Sequence, residues 1–262
     1  MGTNRNRINN KRRKFFQTSA ALLGGAFAFS ILKPVELLAQ PKEEEPLKDN
    51  KENLPLWGMG VDISKCVGCG KCVEACKLEN NVPTEPFYFR TWIEQYTVKN
   101  DGEVKIESPN GGIGGLKQSV PDEEIFKSFM VPKLCNQCSD APCVQACPVG
   151  ATYISPDGVV LVDDSYCIGC SYCIQACPYG ARFMNPVTKV ADKCTFCYHR
   201  ISNDLEPACV EVCPTNARIF GNLRDKKSDL VKFLQKNPTQ TLKPHLNTKS
   251  KVFYNGLSSE VR

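Results

Sequence analysis

"CIGCSYCIQACP", Cys167 to Pro178, puts four cysteines into one short run, with gaps of two, two and three residues. Cysteine at this density means disulfides or metal. Two-residue gaps let a tight loop wrap a compact centre with its backbone N–H groups turned inward, and Gly169 suits the unusual dihedrals such a loop needs. The three residues after Cys173 make about one helical turn, so Cys177 points away from the first three thiols. Pro178 disfavours helical geometry at Cys177 and helps release the chain.

Three further runs repeat the pattern. Cys66, Cys69, Cys72 and Cys76 have the same gaps, with Gly68 and Gly70 in the loop and Lys77 where a proline would stand. Cys135, Cys138, Cys143 and Cys147 widen the second gap to four and end at Pro148. Cys194, Cys197, Cys209 and Cys213 widen it to eleven and end at Pro214. These are all sixteen cysteines of the 262-residue chain. The third run matches the bacterial ferredoxin pattern for a [4Fe–4S] cluster, in which the last cysteine ligates a neighbouring cluster. Zinc would accept the second and fourth runs taken alone, but not three cysteines within seven residues followed by Cys-Pro. A disulfide scaffold fits the even count but explains no fourfold spacing. Widening the fourth gap costs only about 1.5 kcal/mol of closure entropy, against roughly 10 kcal/mol from a structural metal centre.

The residues after each proline also repeat: "PVGATYI", "PYGARFM" and "PTNARIF" each give a turn, an alanine and a short apolar strand. "TYISPDGVVLVD" predicts a hairpin turning at Pro156, Asp157 and Gly158. Between the first two runs, "FYFRTWIEQYTV" and "EVKIES" flank a hairpin signal at Asn100-Asp101-Gly102, and "GGIGG" then breaks structure. That segment is expected either to dock partners or to cover cluster edges. "SDLVKFLQKN" predicts a helix capped at Ser228, with the remaining tail wrapping the surface.

The N-terminus is an address. Residues 1–39 hold seven Lys/Arg and one acidic residue, which leaves the remainder at 26 basic against 27 acidic. A near-neutral remainder offers no electrostatic case for nucleic acid. The basic cluster Lys11 to Lys14 precedes an apolar run, Ala20 to Leu32, too short for a bilayer. Arg12-Arg13 followed by Lys14-Phe15-Phe16 is similar to a twin-arginine export signal, with a cleavage site after Ala39 that Leu37 at −3 fits poorly. That route carries proteins folded with their cofactors, which spares the cysteines from oxidation as an unfolded chain. Residues 41–56 are polar and proline-containing, a linker, so the fold should begin near Trp57.

Together with the flanks "DISKCVGCGKCVEACKLENNVP", "LCNQCSDAPCVQACPVGA" and "DKCTFCYHR", these runs resemble the four-cluster iron–sulfur subunits of molybdopterin oxidoreductases of the dimethyl-sulfoxide-reductase type. The periplasmic tetrathionate-reductase and nitrite-reductase-donor branches are most similar, and "LKPHLNTKSKVFYNGL" fits the tetrathionate type. The resemblance implies an α+β fold of two ferredoxin-like modules related by a pseudo-twofold axis, with an inserted β-hairpin and an extended tail. Residues 57–80 and 190–221 would form the first module and 133–189 the second. Residues 81–132 would be the insertion, 222–262 the C-terminal helix and tail, 40–56 the linker and 1–39 the signal.

By position it implies four [4Fe–4S] clusters. The first would be held by Cys66, Cys69, Cys72 and Cys213, and the second by Cys76, Cys194, Cys197 and Cys209. Cys135, Cys138, Cys143 and Cys177 would hold the third, and Cys147, Cys167, Cys170 and Cys173 the fourth. Some relatives lack one cysteine and hold a three-iron cluster; all are present here. The implied role is a non-catalytic electron-transfer subunit at the periplasmic face, between an integral-membrane quinol-exchanging subunit and a molybdopterin catalytic subunit. The alternative is a partner of a [NiFe] hydrogenase or a multihaem cytochrome nitrite reductase. No catalytic fingerprint or nucleotide loop is present, and no span follows residue 40.

Of the residues near the runs, His199 and His245 fit surface or interface roles. Tyr166, Tyr172, Tyr179, Phe183, Phe196 and Tyr198 are expected to exclude water from the clusters. Lys193 and Arg200 would offset cluster charge or stay solvated.

Overall fold

The computed structural model describes residues 54–85 and 88–261. The expected export signal, and the expected linker up to residue 53, lie outside the described residues. The first strand, β1 (Trp57–Asp62), starts where the linker composition ends. The first cysteine loop follows and enters α1 (Lys71–Glu79). Strands β2 (Thr91–Lys99) and β3 (Val104–Glu107) pair antiparallel about the Asn100–Gly102 turn, and β4 (Ile125–Leu134) joins the other edge of β2.

The second run gives α2 (Pro142–Gln145), followed by the predicted hairpin of β5 (Thr152–Ile154) and β6 (Val160–Val162). The Gly158 N–H donates to the Ser155 carbonyl at 2.9 Å, which closes its turn. The third run gives α3 (Tyr172–Gln175) and a second hairpin, β7 (Arg182–Met184) with β8 (Ala191–Lys193). The fourth gives α4 (Tyr198–Ile201), α5 (Ala208–Glu211) and β9 (Arg218–Asn222). Helix α6 (Asp229–Lys236), β10 (Thr239–Gln240) and β11 (Val252–Asn255) complete the chain. The mix of short helices and short sheets is an α+β fold.

Helices α2, α3 and α5 are each one turn long and end before a Cys-Pro pair, as the proline dictates. Lys77 imposes no such stop, and α1 runs on through Cys76 to Glu79. The Lys77 ammonium is nevertheless buried. It donates to the Pro83 carbonyl at 2.5 Å and lies 4.4 Å from the centre of the Phe89 ring.

Two expectations for the tail change. Ser228 sits at the N-cap of α6, but its side chain makes no capping bond. Its hydroxyl instead fills space above Gly221, where a Cβ would come within 2.1 Å of it. Nor does the tail merely wrap the surface. Strand β11 lies inside the sheet of order β10–β11–β1–β9, parallel to β1, with Val252 and Tyr254 fully buried. The preceding residues brace the second cysteine loop: the Ser139 and Asp140 N–H groups donate to the Lys249 and Thr248 carbonyls.

The core packs the cysteine loops against both larger sheets. Met59, Val61, Ile93, Tyr96, Val131 and Leu134 enclose Cys72, Cys135, Cys194 and Cys209. A smaller cluster holds Cys138, Cys143 and Cys173 with Val160 and Ala191.

Candidate metal centres

All four loops share one backbone device. The residue before the second cysteine has positive φ in every copy: Gly68 at 68°, Gln137 at 47°, Gly169 at 70° and Phe196 at 54°. Glycine adopts this region freely, whereas other residues do so at a cost of about 1–2 kcal/mol. Gln137 is held there by two buried hydrogen bonds: it donates to the Cys194 carbonyl at 2.7 Å and accepts from the Val160 N–H at 2.7 Å. Phe196 is held by an edge-on contact with Phe220, ring centres 5.3 Å apart. Neither residue carries a turn signature, so their positive φ has no local signal in the sequence.

The loop of the first run is covered from outside. The Leu116 N–H donates to the Gly68 carbonyl at 3.2 Å, and the Gly114 N–H to the Glu74 carboxylate at 3.2 Å. A Cβ on Gly70 would lie 2.1 Å from the Gly112 carbonyl oxygen. Of the two readings for this segment, these contacts are those of a cover.

All sixteen thiols are free of disulfides. Cys66, Cys69, Cys72 and Cys213 line one cavity, which Ile93 and Pro132 help to close. Cys76 stands beside Cys194, Cys209 and Cys197. The Asn80 amide spans that second group, donating to the Cys76 sulfur at 3.7 Å and to the Cys197 sulfur at 3.6 Å. Arg90 fixes this amide by donating to its oxygen at 2.9 Å, and Asp192 holds Arg90 at 2.8 Å. Cys138 stands beside Cys135, Cys143 and Cys177. The expected first set thus shares a cavity, and the members of the expected second and third sets lie within electrostatic reach of one another. The fourth set is described by other neighbours: Cys147 lies over the backbone amides of residues 149–152, Cys173 lies near Arg182, and Cys170 is exposed.

Neighbouring groups lie within electrostatic reach of one another. Cys209 neighbours Cys72, and Cys194 neighbours Cys135, which links the first group to the second and the second to the third. Arg182 stands beside both Cys143 and Cys173, between the third and the fourth.

Burial pushes Cys66, Cys138 and Cys209 up to about 11 and Cys194 up to about 12. As bare thiols they would stay protonated at neutral pH, and bound metal displaces those protons. At Cys147 and Cys213 burial also opposes ionisation, but backbone N–H groups outweigh it and lower both thiols. The Ala217 N–H donates to Cys213 at 3.3 Å and the Thr152 N–H to Cys147 at 3.5 Å.

Iron–sulfur cubes fit the donor set. Tetrahedral zinc would draw its sulfurs to about 3.8 Å from one another, given bonds of about 2.3 Å. Among the described residues no three His, Cys, Asp or Glu side chains converge as a single-ion site. Several buried cationic nitrogens near the thiols also lack any hydrogen-bond partner beyond cysteine sulfur: Nε and Nη2 of Arg182, Nη1 of Arg218 and Nζ of Lys251. Such groups are costly unless an anion faces them, and thiolate-ligated clusters are anions.

The flanking residues divide. Phe196 is buried and excludes water, while Tyr179, Phe183 and Tyr198 are partly buried. Tyr166 and Tyr172 are exposed, at 67% and 58%, and shield little. Lys193 is not solvated at all: it is fully enclosed and donates to the Val160 carbonyl and, at 2.9 Å, to the Cys194 carbonyl. Arg200 and His199 instead pair with Glu79 at the surface, at 2.9 and 2.7 Å. His245 is exposed.

Residues 65–151 match one 4Fe-4S dicluster domain and residues 126–223 another. A tetrathionate reductase subunit of Salmonella typhimurium is 36% identical over 95% of this chain and 90% of its own. A polysulfide reductase polypeptide of Wolinella succinogenes is 39% identical over 75% and 92%. A tetrathionate reductase subunit of Archaeoglobus fulgidus is 46% identical over 76% and 81%.

Proposed function

The chain belongs to the 4Fe-4S dicluster family of iron–sulfur subunits and carries four [4Fe–4S] clusters, and on that premise we propose that it relays electrons between a quinol-exchanging membrane subunit and a molybdopterin catalytic subunit. When bound, each cluster accepts and releases one electron. Cys66, Cys69, Cys72 and Cys213 hold the first; Cys76, Cys194, Cys197 and Cys209 the second. Cys135, Cys138, Cys143 and Cys177 hold the third; Cys147, Cys167, Cys170 and Cys173 the fourth. The two modules follow a pseudo-twofold relation, with the first and fourth runs in one and the second and third in the other. The reading is supported by the pairing of β1 with β9 and by the Asn80 bridge between Cys76 and Cys197.

Graded burial carries the functional argument. All four thiols of the second set are buried, and three of the third set. The first set has three half-buried thiols, and the fourth has two half-buried and one exposed. A sealed middle with two accessible ends suits a relay between two partners, because burial excludes water and sets potential while exposed edges allow exchange. Backbone and Asn80 N–H donors on the sulfurs stabilise the reduced, more negative state. No helix of the described residues is long and apolar enough to cross a membrane, so quinol exchange falls to a partner. The terminal acceptor is of the tetrathionate or polysulfide class, by kinship with reductase subunits so named. The twin-arginine signal exports the folded, cluster-loaded chain to the periplasmic face of the cytoplasmic membrane.

In the purified complex, Cys209→Ser should leave the subunits associated and abolish quinol-driven turnover, while a viologen dye still drives the catalytic subunit directly. Undiminished quinol-driven turnover without the second cluster would contradict the relay. Co-isolation with a [NiFe] subunit or a multihaem cytochrome in place of a molybdenum protein would overturn the choice of partners.

A further inference from the structure

Two arginines occupy matching places in the two halves of the fold, and nothing in the cysteine pattern accounts for them. Arg182 opens β7 five residues after Cys177, and Arg218 opens β9 five residues after Cys213. Both side chains are buried, at 5% and 3% exposure. Each donates to a threonine: Arg218 to Thr91 at 2.7 Å, and Arg182 to Thr152 at 3.3 Å. Thr91 opens the strand following the first run and Thr152 the strand following the second. Neither guanidinium has a carboxylate partner within salt-bridge reach among the described residues.

What surrounds them is sulfur. Arg218 stands beside Cys72, Cys209 and Cys66, between the first and second thiol groups. Arg182 stands beside Cys143, Cys173 and Cys135, between the third and fourth. Arg218 hydrogen-bonds Cys209 and Arg182 hydrogen-bonds Cys173, while Nη1 of Arg218 and Nε and Nη2 of Arg182 are enclosed with no other acceptor in reach. A guanidinium stays protonated in proteins, and its N–H groups form a fixed fork. Burying a guanidinium is costly unless a negative charge faces it, so the fold retains both against a compensating negative charge.

We infer that Arg218 and Arg182 are paired tuning residues, each placed between the two clusters of its module to stabilise added electrons on both. Stepwise reduction puts negative charge onto neighbouring centres, which makes the second electron of a pair harder to add. A fixed cation between them offsets that repulsion and raises both potentials, so that adjacent clusters can be reduced together. Lys193 fills the gap between the second and third groups, beside Cys135 and Cys194. Its bonds to two backbone carbonyls give it a structural place as well, so the inference stays with the arginines.

The inference rests on the ligand sets proposed above. The test is an EPR-monitored redox titration of the complex, with iron counted for every variant. In Arg218→Gln the first and second clusters should become harder to reduce. At a fixed ambient potential their reduced-to-oxidised ratio should fall at least tenfold, which is 59 mV for a one-electron couple. The third and fourth should stay within threefold. Arg182→Gln should shift the third and fourth and spare the other two. Full iron with no shift, or an equal shift in all four, overturns the inference and leaves the relay standing. Fewer than four clusters in the unaltered protein would instead strike the ligand sets themselves. Should a glutamine variant load poorly, the lysine variant decides. Iron and potentials restored in Arg218→Lys support a role for charge, and an iron content as low as in the glutamine variant overturns it.

Discussion

The first and third cysteine runs have identical spacing and different surroundings. Around the first, residues 108–116 lie over the loop, α1 continues past Cys76, and the thiols are half-buried or buried. Around the third, the Lys189 carbonyl lies against the loop at Gly169, while α3 stops after one turn and Tyr166, Ile168, Cys170 and Tyr172 face outward. The same position, just after the second cysteine, has positive φ in both: Gly70 at 77° and Ser171 at 65°. At Gly70 a backbone carbonyl is pressed against it. Spacing therefore builds the cage, and the neighbouring segments decide who can reach it.

Complete removal of iron should have the largest effect and should not distinguish the two runs. Buried thiols sit in both core clusters, and a structural metal centre contributes on the order of 10 kcal/mol to folding. Loss of the cooperative thermal transition on chelation, followed by circular dichroism, is the expected outcome; a stable apo fold would show that packing suffices.

Substitution at the matched position separates the runs. Gly70→Ala brings left-handed strain of about 1–2 kcal/mol and a contact with the Gly112 oxygen that neither backbone can avoid. Ser171→Ala already tolerates the dihedral and should cost less than about 1 kcal/mol. Denaturation midpoints measure both. Equal effects would mean that the cover over the first loop contributes nothing.

Tyr172→Ser should be the mildest. Exposed side chains of this kind change stability by about 0.5 kcal/mol or less. The electron-exchange rate with the partner that meets this end should fall, as read by stopped-flow reduction. A large loss of stability with no change in rate would place Tyr172 in the fold rather than at an exchange surface.

The sequence carried the features that depend on spacing and local turn chemistry. The four cysteine runs, the hairpin at Pro156–Gly158 and the helix after Ser228 are all local patterns, and they appear in place. What it did not carry depends on long-range partners. Strand β11 is short, and its place beside β1 is fixed by contacts across most of the chain. Gln137 and Phe196 adopt left-handed geometry because of Cys194, Val160 and Phe220, not because of their own preferences. Lys193 read either as a cation offsetting cluster charge or as a solvated one, and it ends in the core bonded to two carbonyls. Arg182 and Arg218 did leave a signal, a shared offset of five residues after the last cysteine, but short strands hid it. The aromatic flank of the third run misled for the opposite reason. Tyr166 and Tyr172 look like core residues in composition and lie at the surface.

The order of access among the clusters tests the central claim most directly. EPR power saturation in the presence of a water-soluble paramagnetic relaxing agent, with signals assigned through single-ligand variants, reads that order. The cluster of Cys147, Cys167, Cys170 and Cys173 should relax most and that of Cys76, Cys194, Cys197 and Cys209 least, in keeping with an exposed Cys170 and four buried thiols. Equal relaxation of all four, or greatest access at the second cluster, would contradict a relay with a sealed middle and open ends.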